Sequence, residues 1–318
     1  MIWGNSDNVD LYINYNCDLR CNHCFVGDML ASKKEMPFEN IKAIINESFN
    51  NGIKTITLLG GEPCLHSSIL DIVEYINSKG LKLRIVSNGQ KSFLKFINSI
   101  DQRLREYIHV CFSIDGSRKE VHDLIRGANS FEKLCTSISA SQDYGISTSG
   151  ILSVSKDNYD DAVNVISFCD SNKMQYLNIH YVTNRGFAQK ENVVDILDWN
   201  KLYQKVQSLK KEIKIRIERT FIPIESPVNC GVVKKENIII DPYGRLYGCT
   251  MFLNFEGYHT ATFENNRWVM NSNLVNENTI CGKNCESCPG IELINNALLL
   301  DAVSKDYKID CIFNKTSF

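Results

Sequence analysis

Cys17-Asp18-Leu19-Arg20-Cys21-Asn22-His23-Cys24 follows directly on a strand-like run, Val9 to Tyr15. Three thiols fall within eight residues, at C-x3-C-x2-C spacing. A tetrahedral zinc or a rubredoxin-type iron takes four protein ligands, so the loop cannot close such a site alone. Three thiolates suit a cubane iron–sulfur cluster with one iron left open for an exchangeable ligand. Two competing readings stand beside it: three unrelated thiols, or a structural zinc that borrows a distant Cys or His.

Outward from this loop, residues 9 to about 215 alternate strand and helix patterns. Strand-like runs are Val9–Tyr15, Lys54–Leu59, Leu81–Ser87, Tyr107–Ile114, Ile146–Val154 and Gln175–Val182. Helical patterns lie near Pro37–Asn51, Ser67–Lys79, Lys91–Arg105, Phe131–Tyr144, Asp157–Asn172 and Val194–Lys211. Asn51-Gly52, Lys79-Gly80 and Tyr144-Gly145 mark helix-to-strand returns. Six βα units in succession predict a parallel sheet, either doubly wound or barrel-like.

Chemistry in such folds sits at the C-terminal ends of the strands. Gly60-Gly61-Glu62-Pro63 follows the second strand. Its glycines let backbone approach a ligand, and Glu62 is an anionic acceptor for an ammonium group. Ser87-Asn88-Gly89 follows the third, a polar turn able to bond ribose hydroxyls. Ser113-Ile114-Asp115-Gly116 follows the fourth, with Arg126-Gly127 beyond it. Ordinary turn chemistry is the competing reading of each motif; their common register after consecutive strands favours a site.

The pattern changes near residue 212. Lys214 to Glu218 alternates, and Pro223 and Pro227 mark a boundary. Cys230 comes next, then a hairpin-like stretch from Ile238 through Asp241-Pro242-Tyr243-Gly244 to Cys249. Cys281, Cys285 and Cys288 follow at C-x3-C-x2-C-Pro spacing, and Cys311 trails. That knot reads as a second thiolate cluster site, with structural zinc as the alternative.

A net charge of −2 over 318 residues, with the signs intermixed, gives no nucleic-acid or membrane footprint. The first residues lack the layout of a signal peptide, and no apolar run approaches the ~20 residues of a membrane span. Thirteen cysteines without an export signal point to metal and thiol chemistry in a reducing cytosol.

The loop resembles the cluster signature of the radical S-adenosylmethionine (SAM) superfamily, C-x3-C-x-(aromatic)-C, with His23 in the ring position and Phe25 beside it. The resemblance implies an α/β fold: a partial (β/α)6 TIM-like barrel, with SAM chelated to the open iron of a [4Fe–4S] cluster on Cys17, Cys21 and Cys24. It assigns Gly60, Gly61, Glu62 and Pro63 to the SAM amino group. Ser87, Asn88, Ser113 and Asp115 go to SAM-facing strand ends, Ser113 toward the ribose and Arg126 toward the carboxylate. Ile151 of the fifth strand is assigned to the adenine. The segment from Cys230 to Cys249 resembles the opening of a SPASM/twitch domain, although the C-x2-C-x5-C-x3-C run of a full SPASM domain is absent. The twitch form implies one auxiliary [4Fe–4S] cluster on Cys230, Cys249, Cys285 and Cys288, with Cys281 as a substitute.

These readings divide the chain into a barrel, 1–215, and a small cysteine-rich α+β domain, 216–318. The expected activity is reductive SAM cleavage and hydrogen abstraction from an unactivated C–H bond, in maturation of a peptide or protein. A dehydrogenase or decarboxylase acting on a sugar- or nucleoside-type metabolite is the alternative, and a non-catalytic zinc-binding module a remote one. The expected partners are a peptide or small-molecule substrate and a flavodoxin- or ferredoxin-type reductant, with no nucleic acid or membrane, in the cytoplasm. Cys111 shares strand parity with Ser113 and is a candidate hydrogen-atom donor. Cys64, directly after the Gly-Gly-Glu-Pro turn, could serve the same role, with packing as the competing reading of both, while Cys135 and Cys169 read as packing residues.

Overall fold

The computed structural model describes residues 3, 4, 6–209, 212–219, 221–223, 237–272, 307–309 and 316–317. The expected cluster ligands Cys230, Cys281, Cys285 and Cys288, and also Cys311, lie outside the described residues.

β1 (Asn8–Asn14), β2 (Thr55–Gly60), β3 (Lys82–Ser87), β4 (Ile108–Ser113), β5 (Ser147–Val154), β6 (Tyr176–Tyr181) and β7 (Arg216–Arg219) lie side by side in chain order, every pair parallel. Between them run α1 (Phe38–Asn50), α2 (Ile69–Ser78), α3 (Lys91–Ser99), α4 (Lys119–Arg126), α5 (Ser130–Asp143), α6 (Ala162–Ser171) and α7 (Ile196–Leu209). Strand parity sets the layers. On β1, Val9, Leu11 and Ile13 join Ile41, Ile44 and Ile45 of α1 in the main core. The i, i+3, i+4 spacing of those isoleucines is the buried stripe of an amphipathic helix. On β5, a Cβ at Gly150 would meet Cys169 Sγ of α6 at 3.1 Å, so Gly150 faces the helices. Ser149, Ile151 and Ser153 therefore face the other side.

The parallel run holds one strand more than the six expected. Arg216–Arg219 continues it beside β6, with Ile217 buried and Arg216 exposed. α4 is a further addition, and Arg126 forms its last turn. The pattern read as Lys91–Arg105 stops at Ser99, since Asp101 caps a separate 3₁₀ turn by accepting Arg103 N–H at 2.9 Å. α6 begins at Ala162 rather than Asp157, because Asn158 and Asp161 are drawn into bonds with the strand ends.

β8 (Phe221–Pro223) leads on to the hairpin strands β9 (Ile239–Ile240) and β10 (Arg245–Tyr247), then β11 (Ala261–Glu264) and β12 (Arg267–Met270). β9 pairs parallel with the open edge of β1, and β10 to β12 continue as an antiparallel meander in the same sheet. β13 (Tyr307–Ile309) pairs with β8, and β14 (Thr316–Ser317) with β7. The turn between β9 and β10 is ordinary turn chemistry: Asp241 Oδ1 accepts the N–H groups of Tyr243 and Arg245, at 3.0 and 2.9 Å. Among the described residues, no helix is long and apolar enough to cross a membrane.

Candidate active site

The three-thiol loop leaves β1 and returns through the main chain of residues 34–36. Tyr15 N–H donates to Lys34 O at 2.7 Å and Met36 N–H to Ile13 O at 2.9 Å, so both ends are pinned to the sheet. Within it, Cys24 N–H donates to Cys21 O at 3.1 Å. Asn22 N–H reaches Ile125 O of α4 at 3.0 Å. Cys17, Cys21 and Cys24 are all free thiols, Cys21 buried and the other two half-buried. Burial pushes the Cys17 thiol up to about 12 and Cys21 up to about 11, opposed at Cys21 by the Arg126 guanidinium. Three thiolates in such surroundings need a compensating cation, and a cluster's iron supplies it. Among the described residues, no three His, Cys, Asp or Glu side chains converge on a single metal ion. Three thiols on one loop fit a cubane cluster, whose irons take one thiolate each.

The glycine pair lies tight against the three-thiol loop. A Cβ at Gly60 would lie 2.4 Å from Asn14 O, and one at Gly61 2.3 Å from Asn16 O and 3.0 Å from Cys17 Cβ. The close approach is to the root of the cluster loop itself. Glu62 is fully buried beside it. Its carboxylate accepts from Asn88 N–H at 2.8 Å, Cys64 N–H at 3.1 Å and Ser87 Oγ at 3.0 Å. Burial nevertheless raises its pKa to about 7. A buried carboxylate held this way is a ready acceptor for a cation. Pro63 starts the 3₁₀ turn that follows.

Ser87 and Asn88 are occupied by this network. Ser87 Oγ donates to Glu62, while Asn88 Nδ2 reaches Asp18 Oδ1 at 2.8 Å and Cys17 Sγ at 3.7 Å. Ser113, half-buried, makes no side-chain hydrogen bond among the described residues, and Ile151 and Asn178 follow it across neighbouring strands. Asp115 is a hub. Its carboxylate takes His23 Nε2 at 3.1 Å, Arg126 Nε at 2.5 Å and Ser153 N–H at 3.0 Å. Although burial opposes it, the Arg126 guanidinium, with His23, holds this carboxyl well below the usual range. Arg126 Nη1 in turn lies 3.8 Å from Cys21 Sγ. The ring position of the motif thus ties the cluster loop to β4 and α4.

Cys111 is buried one residue pair below Ser113, its sulfur 3.2 Å from Tyr176 Oη, and the Tyr176 ring stacks on His109. Cys64, Cys169 and half-buried Cys135 lie in packing positions, the first two in the main core. Beside Cys111, Ser149 Oγ is buried without a partner among the described residues, and so is Asn178 Oδ1, level with Ser113. Each costs roughly 1–3 kcal/mol unless a ligand or water meets it.

Cys249 lies buried in a second, aromatic cluster with Tyr12, Tyr15, Tyr247 and Phe252, against which Phe25, Val26 and Met29 of the cluster loop pack. The hairpin cysteine is therefore brought to the same end of the sheet as the three-thiol loop. Arg185 is the connecting residue that sequence reasoning missed. Its guanidinium stacks on Phe25 at 4.2 Å and Phe255 at 4.7 Å, and donates to Thr250 O at 3.1 Å and to Leu253 O. An isolated arginine after a strand carries no motif. The signal within reach was the adjacent Gly186, whose φ of +63° only glycine adopts readily.

Residues 11–169, half of the chain, match the Radical SAM superfamily model. The antilisterial bacteriocin subtilosin biosynthesis protein AlbA of Bacillus subtilis is 26% identical over 275 residues, 83% of this chain and 59% of that protein. The mycofactocin maturase MftC of Mycolicibacterium smegmatis is 27% identical over 122 residues, 38% of this chain and 30% of that protein. The chain thus spans less than two thirds of the length of these relatives. The structure of Streptococcus suis SuiB bound to precursor peptide SuiA superposes with a TM-score of 0.70 at 17% identity, over 96% of this chain and 75% of that one. The fold is thereby the TIM-barrel-like α/β fold, and the cofactors of this family are SAM and a [4Fe–4S] cluster. The chain belongs to the radical SAM superfamily.

Proposed function

We propose that the protein is a radical SAM enzyme that matures a peptide. One observation carries the reading: Cys17, Cys21 and Cys24 share the loop that leaves the C-terminal end of β1, with Cys17 beside Glu62, buried after β2. When bound, the cluster and SAM supply reductive cleavage of SAM and a 5′-deoxyadenosyl radical for hydrogen abstraction. Glu62 accepts the SAM ammonium through a charge-assisted hydrogen bond. Ser113 faces the ribose, and Ile151 offers apolar contact to the adenine. The polar face of β5 and β6, with Ser149 and Asn178 awaiting partners, receives the substrate and orients it. Cys111 is retained as a candidate hydrogen donor, held by Tyr176.

Peptide maturation is supported by the names of AlbA and MftC and by the peptide bound to SuiB. Residues 216–318 are proposed as the auxiliary domain, with Cys230, Cys249, Cys285 and Cys288 as its cluster ligands and Cys281 as a substitute for one of them. A flavodoxin- or ferredoxin-type reductant and a cytoplasmic location complete the proposal.

Two measurements test it. Co-expression with a short peptide encoded beside the gene should change that peptide's mass; an unaltered peptide alongside a consumed small metabolite would reverse the substrate assignment. Anaerobic protein should hold roughly eight irons, four per cubane, and Cys285→Ala with Cys288→Ala should leave about four. Iron near four in the unmodified protein would remove the auxiliary cluster.

A further inference from the structure

Two side chains that the resemblance aims at SAM aim an N–H at a cluster thiol instead. Arg126 Nη1 lies 3.8 Å from Cys21 Sγ, and Asn88 Nδ2 lies 3.7 Å from Cys17 Sγ. Both side chains are buried, and both are fixed from behind. The Arg126 fork is anchored through Nε on Asp115, itself held by His23 and Ser153. The Asn88 amide is anchored at Nδ2 by Asp18, at 2.8 Å, and at Oδ1 by Gln90 N–H, at 3.0 Å. The main-chain N–H of Asn88 is bound to Glu62. Neither side chain can turn toward another ligand without breaking several bonds.

A donor aimed at a coordinated sulfur stabilises negative charge on the metal–sulfur unit, and hydrogen bonds to sulfur are among the levers that set cluster potential. Reduction adds one negative charge, so such donors favour the reduced state. Burial keeps solvent and salt from screening the effect.

We propose that Arg126 and Asn88 set the reduction potential of the three-cysteine cluster, by donating to Cys21 and Cys17, rather than binding the carboxylate and ribose of SAM. The proposal rests on the cluster reading above. It makes them positioning and tuning residues, whose effect is present before SAM arrives.

The test is an EPR-monitored potentiometric titration of the anaerobically reconstituted full chain without SAM. A residue that acts only by holding SAM cannot move that potential. Asn88→Ala and Arg126→Gln should each lower it by about a tenfold shift in the reduction equilibrium, or about 59 mV for one electron. Arg126→Lys cannot serve Asp115 and Cys21 at once with a single ammonium, and should lower it by about threefold. Should Arg126→Gln fail to retain the cluster because Asp115 is left unpaired, the other two variants decide. Unchanged SAM-free potentials in Asn88→Ala and Arg126→Lys, with SAM affinity reduced, would overturn the proposal. An unmodified protein without a [4Fe–4S] signal would overturn the cluster reading and this proposal with it.

Discussion

Phe187 donates its main-chain N–H to the carbonyl oxygen of Cys24 at 2.9 Å. The bond docks the segment after β6 onto the last cysteine of the three-thiol loop. Gly186 makes the approach possible, since a Cβ there would fall 2.0 Å from Cys24 O. One residue earlier, Arg185 reaches the other way, to the turn that follows Cys249. Three consecutive residues thus join the two cysteine-bearing segments.

Arg185→Ala removes two cation–π contacts, each about 0.5–2 kcal/mol, together with two hydrogen bonds. The turn at 250–253 is expected to open locally. Hydrogen exchange should quicken by roughly tenfold or more at Phe252 and Leu253, whose N–H groups close that turn, while β2 to β5 keep their protection. Exchange at this turn equal to that of the unmodified protein would make Arg185 a bystander.

Asp115→Asn keeps shape and removes charge, leaving the Arg126 guanidinium buried beside a neutral amide. Breaking such a pair costs about 3–5 kcal/mol, readable from urea unfolding. The pH dependence has a definite sign. The Asp115 carboxyl titrates below its unfolded value, so its stabilisation is complete above the ordinary carboxylate range and lost as pH falls below it. The variant should lose that acid-side slope. Equal stability of the two proteins at pH 7 would contradict the hub.

Much of the barrel was legible because each βα unit carries its own period and its own turn signal. α1 illustrates this: isoleucines 41, 44 and 45 predict the buried stripe, and Asn51-Gly52 ends the helix, with Gly52 at φ +82°. β7 was not legible, because a four-residue alternating run looks alike at the edge of a sheet or in a linker. Motif positions were legible from residue type, but their partners were not. Nothing in a sequence says that Gly61 makes room for Asn16 O, or that Asp115 is consumed by His23 and Arg126. Those facts depend on segments far apart in the chain.

Glu62→Gln is expected to weaken SAM binding by about one to two orders of magnitude, through loss of a bond worth roughly 1.5–3 kcal/mol. Burial raises this acid to about 7, so below that pH a proton must leave before the ammonium can bind. SAM affinity of the reconstituted protein should therefore rise between about pH 6 and 7 and level off above. In the Gln variant that rise should vanish, with cluster content unchanged. An identical pH profile in both proteins would place Glu62 in a purely structural turn.

The central claim is that Cys17, Cys21 and Cys24 together hold the cluster that cleaves SAM. The most direct measurement is 5′-deoxyadenosine formed from SAM by anaerobically reconstituted protein under dithionite. The unmodified chain should form it, and the variant with all three cysteines replaced by alanine should form none while keeping its far-UV circular dichroism. Continued 5′-deoxyadenosine formation by that triple variant would contradict the account.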